Sequence, residues 1–256
     1  MIKIEDVHKR FGEEEILKGI TTVFEKGKTN LIIGQSGSGK SVMLKCLIGL
    51  FKPEQGKIYY GDEAIQDMDD ERQRKLREEM GMLFQGGALF DSMNIEENVM
   101  FPLRMFTKMK KPEMLARVNE VLKRVNLEGV NKKFTAEISG GMQKRVSIAR
   151  AIVNKPKYLF CDEPNSGLDP KTATLIDTLI QEITHEYDIT TIVVTHDMNS
   201  VMEIGEKVML LKNGKLVWQG TNQEIFKTDN EDVTNFVYSS DLFKKIRDVQ
   251  LKENKA

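Results

Sequence analysis

The apolar positions along this chain change their spacing twice. Ile2, Ile4 and Val7 alternate with polar residues, and Ile16 to Phe24 forms a second strand-like stretch, with turn residues at Gly12 and Gly27. Thr29-Asn30-Leu31-Ile32-Ile33 then leads directly into a glycine-rich segment. Beyond it, Val42, Leu44, Leu47, Ile48 and Leu50 predict an apolar helix that weakens at Gly49 and stops before Pro53. Gly56 to Tyr60 reads as a strand, Asp69 to Met80 as a charged helix, and Met82-Leu83-Phe84 as a short strand ending at Gln85. From Gly86 to about Asn154 the spacing is mainly helical, with turns near Pro112 and Gly129. After Pro156 the alternation resumes with a strand at Tyr158 to Cys161, a helix at Pro170 to Tyr187 and a strand at Ile189 to Thr195. Val208 to Leu211 and Leu216 to Trp218 flank Asn213-Gly214, a hairpin turn. This order predicts two parallel-sheet pieces around a helical insertion.

The 256 residues suffice for one sizeable α/β domain with an inserted subdomain. Hydrophobic residues make up 40% and charged residues 30%, the proportions of an ordinary globular chain. A net charge of -1 gives no global pull toward nucleic acid or anionic membrane. The basic groups at Arg72–Arg77, Lys108–Lys111 and Lys244–Arg247 have acidic residues close by, so they read as solvated helix faces. Cys46 and Cys161 lie inside apolar stretches and read as small buried residues, which fits a reducing cytosol. No apolar run exceeds four residues, so no transmembrane helix is expected and any membrane connection goes through a partner.

Three segments carry chemistry. Gly34-Gln35-Ser36-Gly37-Ser38-Gly39-Lys40-Ser41 fits the phosphate-binding pattern G-x-x-x-x-G-K-[ST] throughout. The pattern arises by chance in roughly one chain in a hundred of this length, and the strand before and helix after reduce that further. Gly34, Gly37 and Gly39 let backbone N–H groups converge on phosphate oxygens, with Ser36 and Ser38 in the same loop. Lys40 is expected at the β and γ phosphates and the Ser41 hydroxyl on Mg²⁺. Tyr158 to Glu163 is an apolar strand ending in two carboxylates. Asp162 is placed to approach the metal, and Glu163 to accept a proton from the water attacking the γ-phosphate. Ser139-Gly140-Gly141 opens an amphipathic helix and is a second anion cradle; alone it would read as an ordinary N-cap.

Ile138-Ser139-Gly140-Gly141-Met142-Gln143 resembles the L-S-G-G-Q signature of ATP-binding-cassette (ABC) ATPases. Gly34 to Ser41 resembles their Walker A, Tyr158 to Glu163 their Walker B, and Ser166-Gly167-Leu168-Asp169 their D-loop. Gln85 resembles their Q-loop glutamine and His196 their switch histidine. Ile138 and Met142 depart from the usual Leu and Gln, which leaves a side-chain contact from position 142 in question.

The resemblance spans almost the whole chain. It implies an α/β fold: a P-loop NTPase (RecA-like) core with an antiparallel β subdomain and an inserted α-helical subdomain. Residues 1–256 then form one ABC ATPase domain, with core 1–85 and 155–220, helical subdomain 86–154 and a C-terminal helical tail 221–256. It also implies ATP and Mg²⁺ as ligands, with Ser41, Gln85 and Asp162 toward the metal and Glu163, His196 and Gln85 in hydrolysis. Two cassettes facing head to tail would share sites, so Ser139, Gly140 and Gly141 would act on nucleotide held by the partner's Lys40. Phe11 stands where the family stacks an aromatic on adenine, with core packing as the competing reading.

The implied role is hydrolysis that powers an integral membrane permease from the cytoplasmic face of the inner membrane. Gln85 to Met93, with Glu97-Asn98-Val99 and Phe101-Pro102-Leu103, resembles cassettes of MCE-associated lipid transporters such as the Mla phospholipid system, which implies an MCE-type lipid-binding protein as a further partner. Seven of fourteen methionines lie between Met80 and Met114; Met93 and Met100 are candidates for an adaptable groove, or for core. Val233, Phe236, Val237, Phe243 and Ile246 give a tail that docks either on its own domain or on a second cassette. The alternatives are an importer cassette for a small polar solute such as an amino acid, and a non-transport ABC ATPase. Against the second, neither a long coiled-coil insertion nor a second cassette is present, and no nucleic-acid partner is expected. A P-loop GTPase lacks its N-K-x-D element, because Asn154-Lys155 continues as Pro156-Lys157.

Overall fold

The computed structural model describes residues 1–238. Strands β1 (Ile2–Phe11), β2 (Glu14–Phe24), β4 (Gln55–Tyr60) and β5 (Glu63–Ala64) form an antiparallel sheet in the order β2-β1-β4-β5. A second sheet runs β10-β9-β3-β8-β7-β6, built from β3 (Thr29–Ile33), β6 (Met80–Leu83), β7 (Tyr158–Asp162), β8 (Thr190–Val194), β9 (Lys207–Lys212) and β10 (Lys215–Gly220). Its neighbours from β9 to β6 are parallel, and β10 closes the edge antiparallel through the Asn213-Gly214 turn.

Every residue of β3 and β8 is buried, so both carry apolar runs, and the polar Asn30 in β3 is satisfied by the Glu25, Lys28 and Thr191 carbonyls. Alternation still sorts their side chains. Leu31 and Ile33 pack into the core under the helical lobe, while Ile32 packs toward the antiparallel sheet with Phe160, Ile192 and Val194. Because β3 lies between β8 and β9, the loop leaving it emerges mid-sheet at the carboxyl edge, the usual place for a ligand in such sheets.

The helices in chain order are α1 (Lys40–Leu47), α2 (Asp70–Glu78), α3 (Ile95–Phe106), α4 (Lys111–Arg124), α5 (Gly140–Ile152), α6 (Pro170–Glu186), α7 (Met198–Ile204) and α8 (Glu231–Val237). The lobe of α3, α4 and α5 occupies the predicted insertion. Asn94 opens α3 with a reciprocal cap, accepting from Glu97 N at 2.9 Å while its own N–H donates to the Glu97 carboxylate at 3.0 Å. Arg117 of α4 donates to the Ile152 and Val153 carbonyls at 3.1 and 2.9 Å, satisfying the C-terminal end of α5.

Several boundaries differ from the sequence expectation. The first helix ends at Leu47, and Gly49 turns the chain with φ 75°; Leu50 is 65% exposed instead of sharing the apolar face. The charged helix stops at Glu78 and Met80 begins β6, while Phe84 lies beyond the strand and is exposed. Met100 is 1% exposed and belongs to the core, so the groove reading fails for it; Met93 is half-buried. At the C-terminus, α8 docks on its own domain. Val233 and Val237 are buried, Lys212 pairs with Asp232 at 2.5 Å, and Asn230 reaches the Val217 carbonyl at 3.3 Å. Phe243, Ile246 and the Lys244–Arg247 basic group lie outside the described residues. Among the described residues, no helix is long and apolar enough to cross a membrane.

Candidate nucleotide site

The loop Gly34–Ser41 joins β3 to α1. Its first glycine is forced by crowding: with φ 150°, a Cβ at Gly34 would overlap the Leu211 carbonyl oxygen of β9. Gly37 and Gly39 adopt φ 78° and 104°, and Gly39 precedes α1 with no side-chain cap. The N–H groups of the first turn of α1 are therefore offered to an anion. Lys40 folds back, donating to the Gly34 and Gln35 carbonyls at 2.7 and 3.0 Å, which holds the loop curled. Burial lowers its pKa, and the nearby Glu163 and Asp162 charges oppose that shift. Ser38 Oγ is buried with no hydrogen-bond partner among the described residues.

A cleft of about 830 Å³ opens in front of this loop. Ser36, Lys40 and Ser41 line it together with Gln85, Glu163 and His196. The structure thus brings together residues from four separate stretches of sequence. Glu163 follows β7 in the left-handed region at φ 47°, anchored by its N–H to the Val194 carbonyl at 2.9 Å. Its Oε1 lies 2.8 Å from His196 Nδ1, so the two carboxyl-edge loops meet through this pair. Asp162 is half-buried, and its carboxyl pKa is raised by burial first and by Glu163 second.

The oxygens of Ser41, Gln85 and Asp162 suit a hard divalent cation. Ser41 and Gln85 line the cleft, while the half-buried Asp162 lies behind its lining next to Glu163; such an oxygen set would fit Mg²⁺, with further ligands from substrate phosphates and water. The fit to a triphosphate rests on the glycine cradle that a Cβ would fill and on the buried lysine behind it.

Six expected residues are not part of the cleft lining: Phe11, Ser38, Ser139, Gly140, Gly141 and Asp162, the last half-buried at the end of β7 beside Glu163. Phe11 does not line the cleft; it is 46% exposed and packs edge-on against Phe51 at 5.2 Å, while Glu14 and Ile16 form the adjoining wall. Ser139 also lies outside the cleft, as the N-cap of α5, accepting from Met142 N at 3.3 Å. Gly140 is open, with nothing near a Cβ built on it, whereas a Cβ on Gly141 would press on Thr172. The Met142 side chain packs against the core and offers no polar contact at the signature.

Sequence reasoning missed how the Q-loop is held. Lys144 donates to the Gln85 carbonyl, Ser147 to Gly87 at 3.2 Å, and Arg150 to Gly87 and Ala88 at 2.7 Å each. Asn98, fully buried, grips Phe90 through its amide and carbonyl at 3.0 and 2.8 Å and donates to the Met93 carbonyl at 3.0 Å. The three-residue spacing of Lys144, Ser147 and Arg150 on one face of α5 was the available signal.

A protein-family profile described as ABC transporter matches residues 17–166. The chain is 40% identical over 242 residues to the methionine import ATP-binding protein MetN of Clostridium tetani, covering 94% of this chain and 76% of that one. It is 39% identical over 236 residues to the probable ribonucleotide transport ATP-binding protein mkl of Mycobacterium leprae, covering 92% and 68%. The chain belongs to the ABC transporter ATPases. Among solved ABC cassettes, the dimeric MJ0796 bound to ADP and Pi superimposes with TM-score 0.78 at 35% identity, covering 87% of this chain and 99% of that one. The cbiO1 cassette of Clostridium perfringens gives 0.83 at 31% identity, with 97% and 98% covered. The protein is therefore an ATP-hydrolysing cassette, and its cleft is that of an ABC ATPase.

Proposed function

We propose that two copies of this cassette meet head to tail and drive a separate membrane permease, peripheral on the cytoplasmic face of the inner membrane. One observation carries the reading. The two phosphate cradles stand apart, Gly34–Ser41 in the cleft and Ser139–Gly141 on an exposed surface outside it, so one chain alone leaves the second without a use. In the closed pair, Ser139 and the Gly140 and Gly141 backbone contact nucleotide on the partner's Lys40. Lys40 turns from its loop carbonyls to the β and γ phosphates. Ser41, Gln85 and Asp162 would hold Mg²⁺, which would supply charge neutralisation at those phosphates. Glu163 accepts a proton from the attacking water, and His196, which stands 2.8 Å from Glu163 in the single chain, turns a ring N–H to the γ-phosphate.

The cargo on this reading is a phospholipid or related lipid, handed on through an MCE-type protein. Its support is the sequence of the stretch from Gly86 to Leu103, of which α5 and Asn98 hold the Gly87, Ala88 and Phe90 backbone next to Gln85 while Val99, Met100 and Leu103 turn into the core. The names of the MetN relatives favour a second reading, import of a small polar solute such as an amino acid. The two separate on purification of the assembly from detergent-solubilised membranes, followed by identification of co-purifying proteins and lipids. A permease with an MCE-type subunit and bound phospholipid is the expected result. A solute-binding protein with methionine-stimulated ATPase overturns the lipid reading.

A further inference from the structure

A buried carboxyl away from the nucleotide ties the two catalytic loops together. Asp177 lies in the middle of α6 and is 2% exposed. Its Oδ2 accepts from Asn165 Nδ2 at 2.8 Å, and the same amide donates to Ser200 Oγ at 2.8 Å. Asn165 stands two residues after Glu163 and just before the D-loop. Ser200 is fully buried on α7, the helix that His196 leads into through its N-cap Asp197. Three segments therefore converge on one amide: the loop carrying Glu163, the helix after the D-loop and the helix after His196.

We propose that Asp177 is a positioning residue for hydrolysis, holding Asn165 and Ser200 so that Glu163 and His196 keep their register. The proposal rests on the roles assigned to Glu163 and His196 above. Asp177 touches neither nucleotide nor metal ligand and acts through the loops it joins.

The surroundings make the tie sensitive to protonation. Asp177 Oδ1 and Asn165 Oδ1 are both buried and have no hydrogen-bond partner among the described residues. The charged groups facing Asp177 from α7 are Asp197 and Glu203, both acidic, and the Cys161 thiol on β7 is held neutral by burial. Burial first, and these carboxylates after it, push the Asp177 pKa up to about 6, against the opposing influence of the nearby Ser200 hydroxyl and the Asn165 amide. Ionised, Asp177 accepts a charge-assisted bond from Asn165, roughly twice as strong as the neutral one. Protonated, it keeps only the weaker bond.

The sign for stability is opposite to that for activity. A carboxyl whose pKa rises from 3.8 to about 6 on folding binds protons more readily in the folded chain. Stability is thus lost as pH rises through that window, and the penalty is complete above about 6. Asp177→Asn removes the penalty and keeps an amide–carbonyl bond.

The test compares wild type, Asp177→Asn, Asp177→Ala and Asn165→Ala as full chains, in ATPase assays from pH 5 to 8.5 with ADP binding measured by calorimetry. The wild-type kcat is expected to gain an acid limb with midpoint near 6. Asp177→Asn should lose that limb, run a few-fold below wild type at pH 7.5, and melt at or above the wild-type temperature. Asp177→Ala and Asn165→Ala should each lower kcat about tenfold or more with ADP affinity unchanged, and combining Asn165→Ala with Asp177→Asn should be non-additive. An unchanged limb in Asp177→Asn, or kcat within twofold of wild type in both alanine variants, overturns the proposal. Glu163→Gln assayed in parallel keeps the two readings apart: turnover there sinks the base assignment and leaves the Asp177 result to be read on its own.

Discussion

At the scale of single residues, Glu163 concentrates the chemistry. Its left-handed backbone, at φ 47°, turns the side chain back toward the cleft instead of along the strand. The pairing with His196 at 2.8 Å fixes which carboxylate oxygen remains for water. Glu163→Gln keeps size and shape but loses the basic oxygen. General-base loss is worth 10² to 10⁴ in rate, so phosphate release should fall by roughly a hundredfold or more. Nucleotide binding should persist, because Lys40 and the glycine cradle are untouched. Single-turnover phosphate release beside equilibrium binding of ATP checks both halves. Turnover at the wild-type rate would remove Glu163 from the base role, whatever the binding result.

At the scale of elements, α5 connects the signature to the Q-loop. Its first residues form the exposed anion cradle, while Arg150, in its last turn, closes on the Gly87 and Ala88 carbonyls with a planar fork. Burial lowers the guanidinium pKa, but the group stays charged. Arg150→Ala leaves the Ala88 carbonyl without its donor, while Gly87 keeps the bond from Ser147, so a loss of about 1–3 kcal/mol in urea unfolding is expected. Lysine carries one point charge and cannot bridge both carbonyls, so Arg150→Lys should recover less than half of that loss. Full recovery would show that charge, not the fork, holds the loop. This connection was hidden in the sequence for a physical reason. Lys40 and Ser41 announce themselves through a pattern of neighbours, because a phosphate loop is local. Lys144, Ser147 and Arg150 find their partners about 60 residues away, and on the helix alone they look like polar interruptions of an apolar face. Strands β3, β7 and β8 were legible through the apolar stretches 31–33, 158–161 and 192–194, which are buried on both faces. The end of α1 was not: Leu50 continues the helical spacing, and only the positive φ of Gly49 takes it off the core.

At the scale of the whole molecule, separation of the two cradles predicts a result that no single-chain site can give. Lys40→Ala disables the cleft of its own chain and leaves that chain's signature intact. Ser139→Asp does the reverse. Aspartate still caps α5 as serine does, through the N–H that Ser139 Oγ accepts at 3.3 Å, and it sets a negative charge against the incoming phosphate. Each variant alone is expected to be nearly inactive. In a mixed pair, the intact cleft of the Asp-bearing chain faces the intact signature of the Ala-bearing chain, while the other site carries both lesions. Random pairing makes half the dimers mixed with one good site in two, so activity should return to about a quarter of wild type, provided one good site turns over independently. A site completed within one chain would gain nothing from mixing, since every chain then carries a lesion in its only site. Equimolar mixing followed by an ATPase assay decides between them. Dilution adds a second axis: recovered activity should fall faster than protein concentration once the pair dissociates, because two chains are needed for each working site.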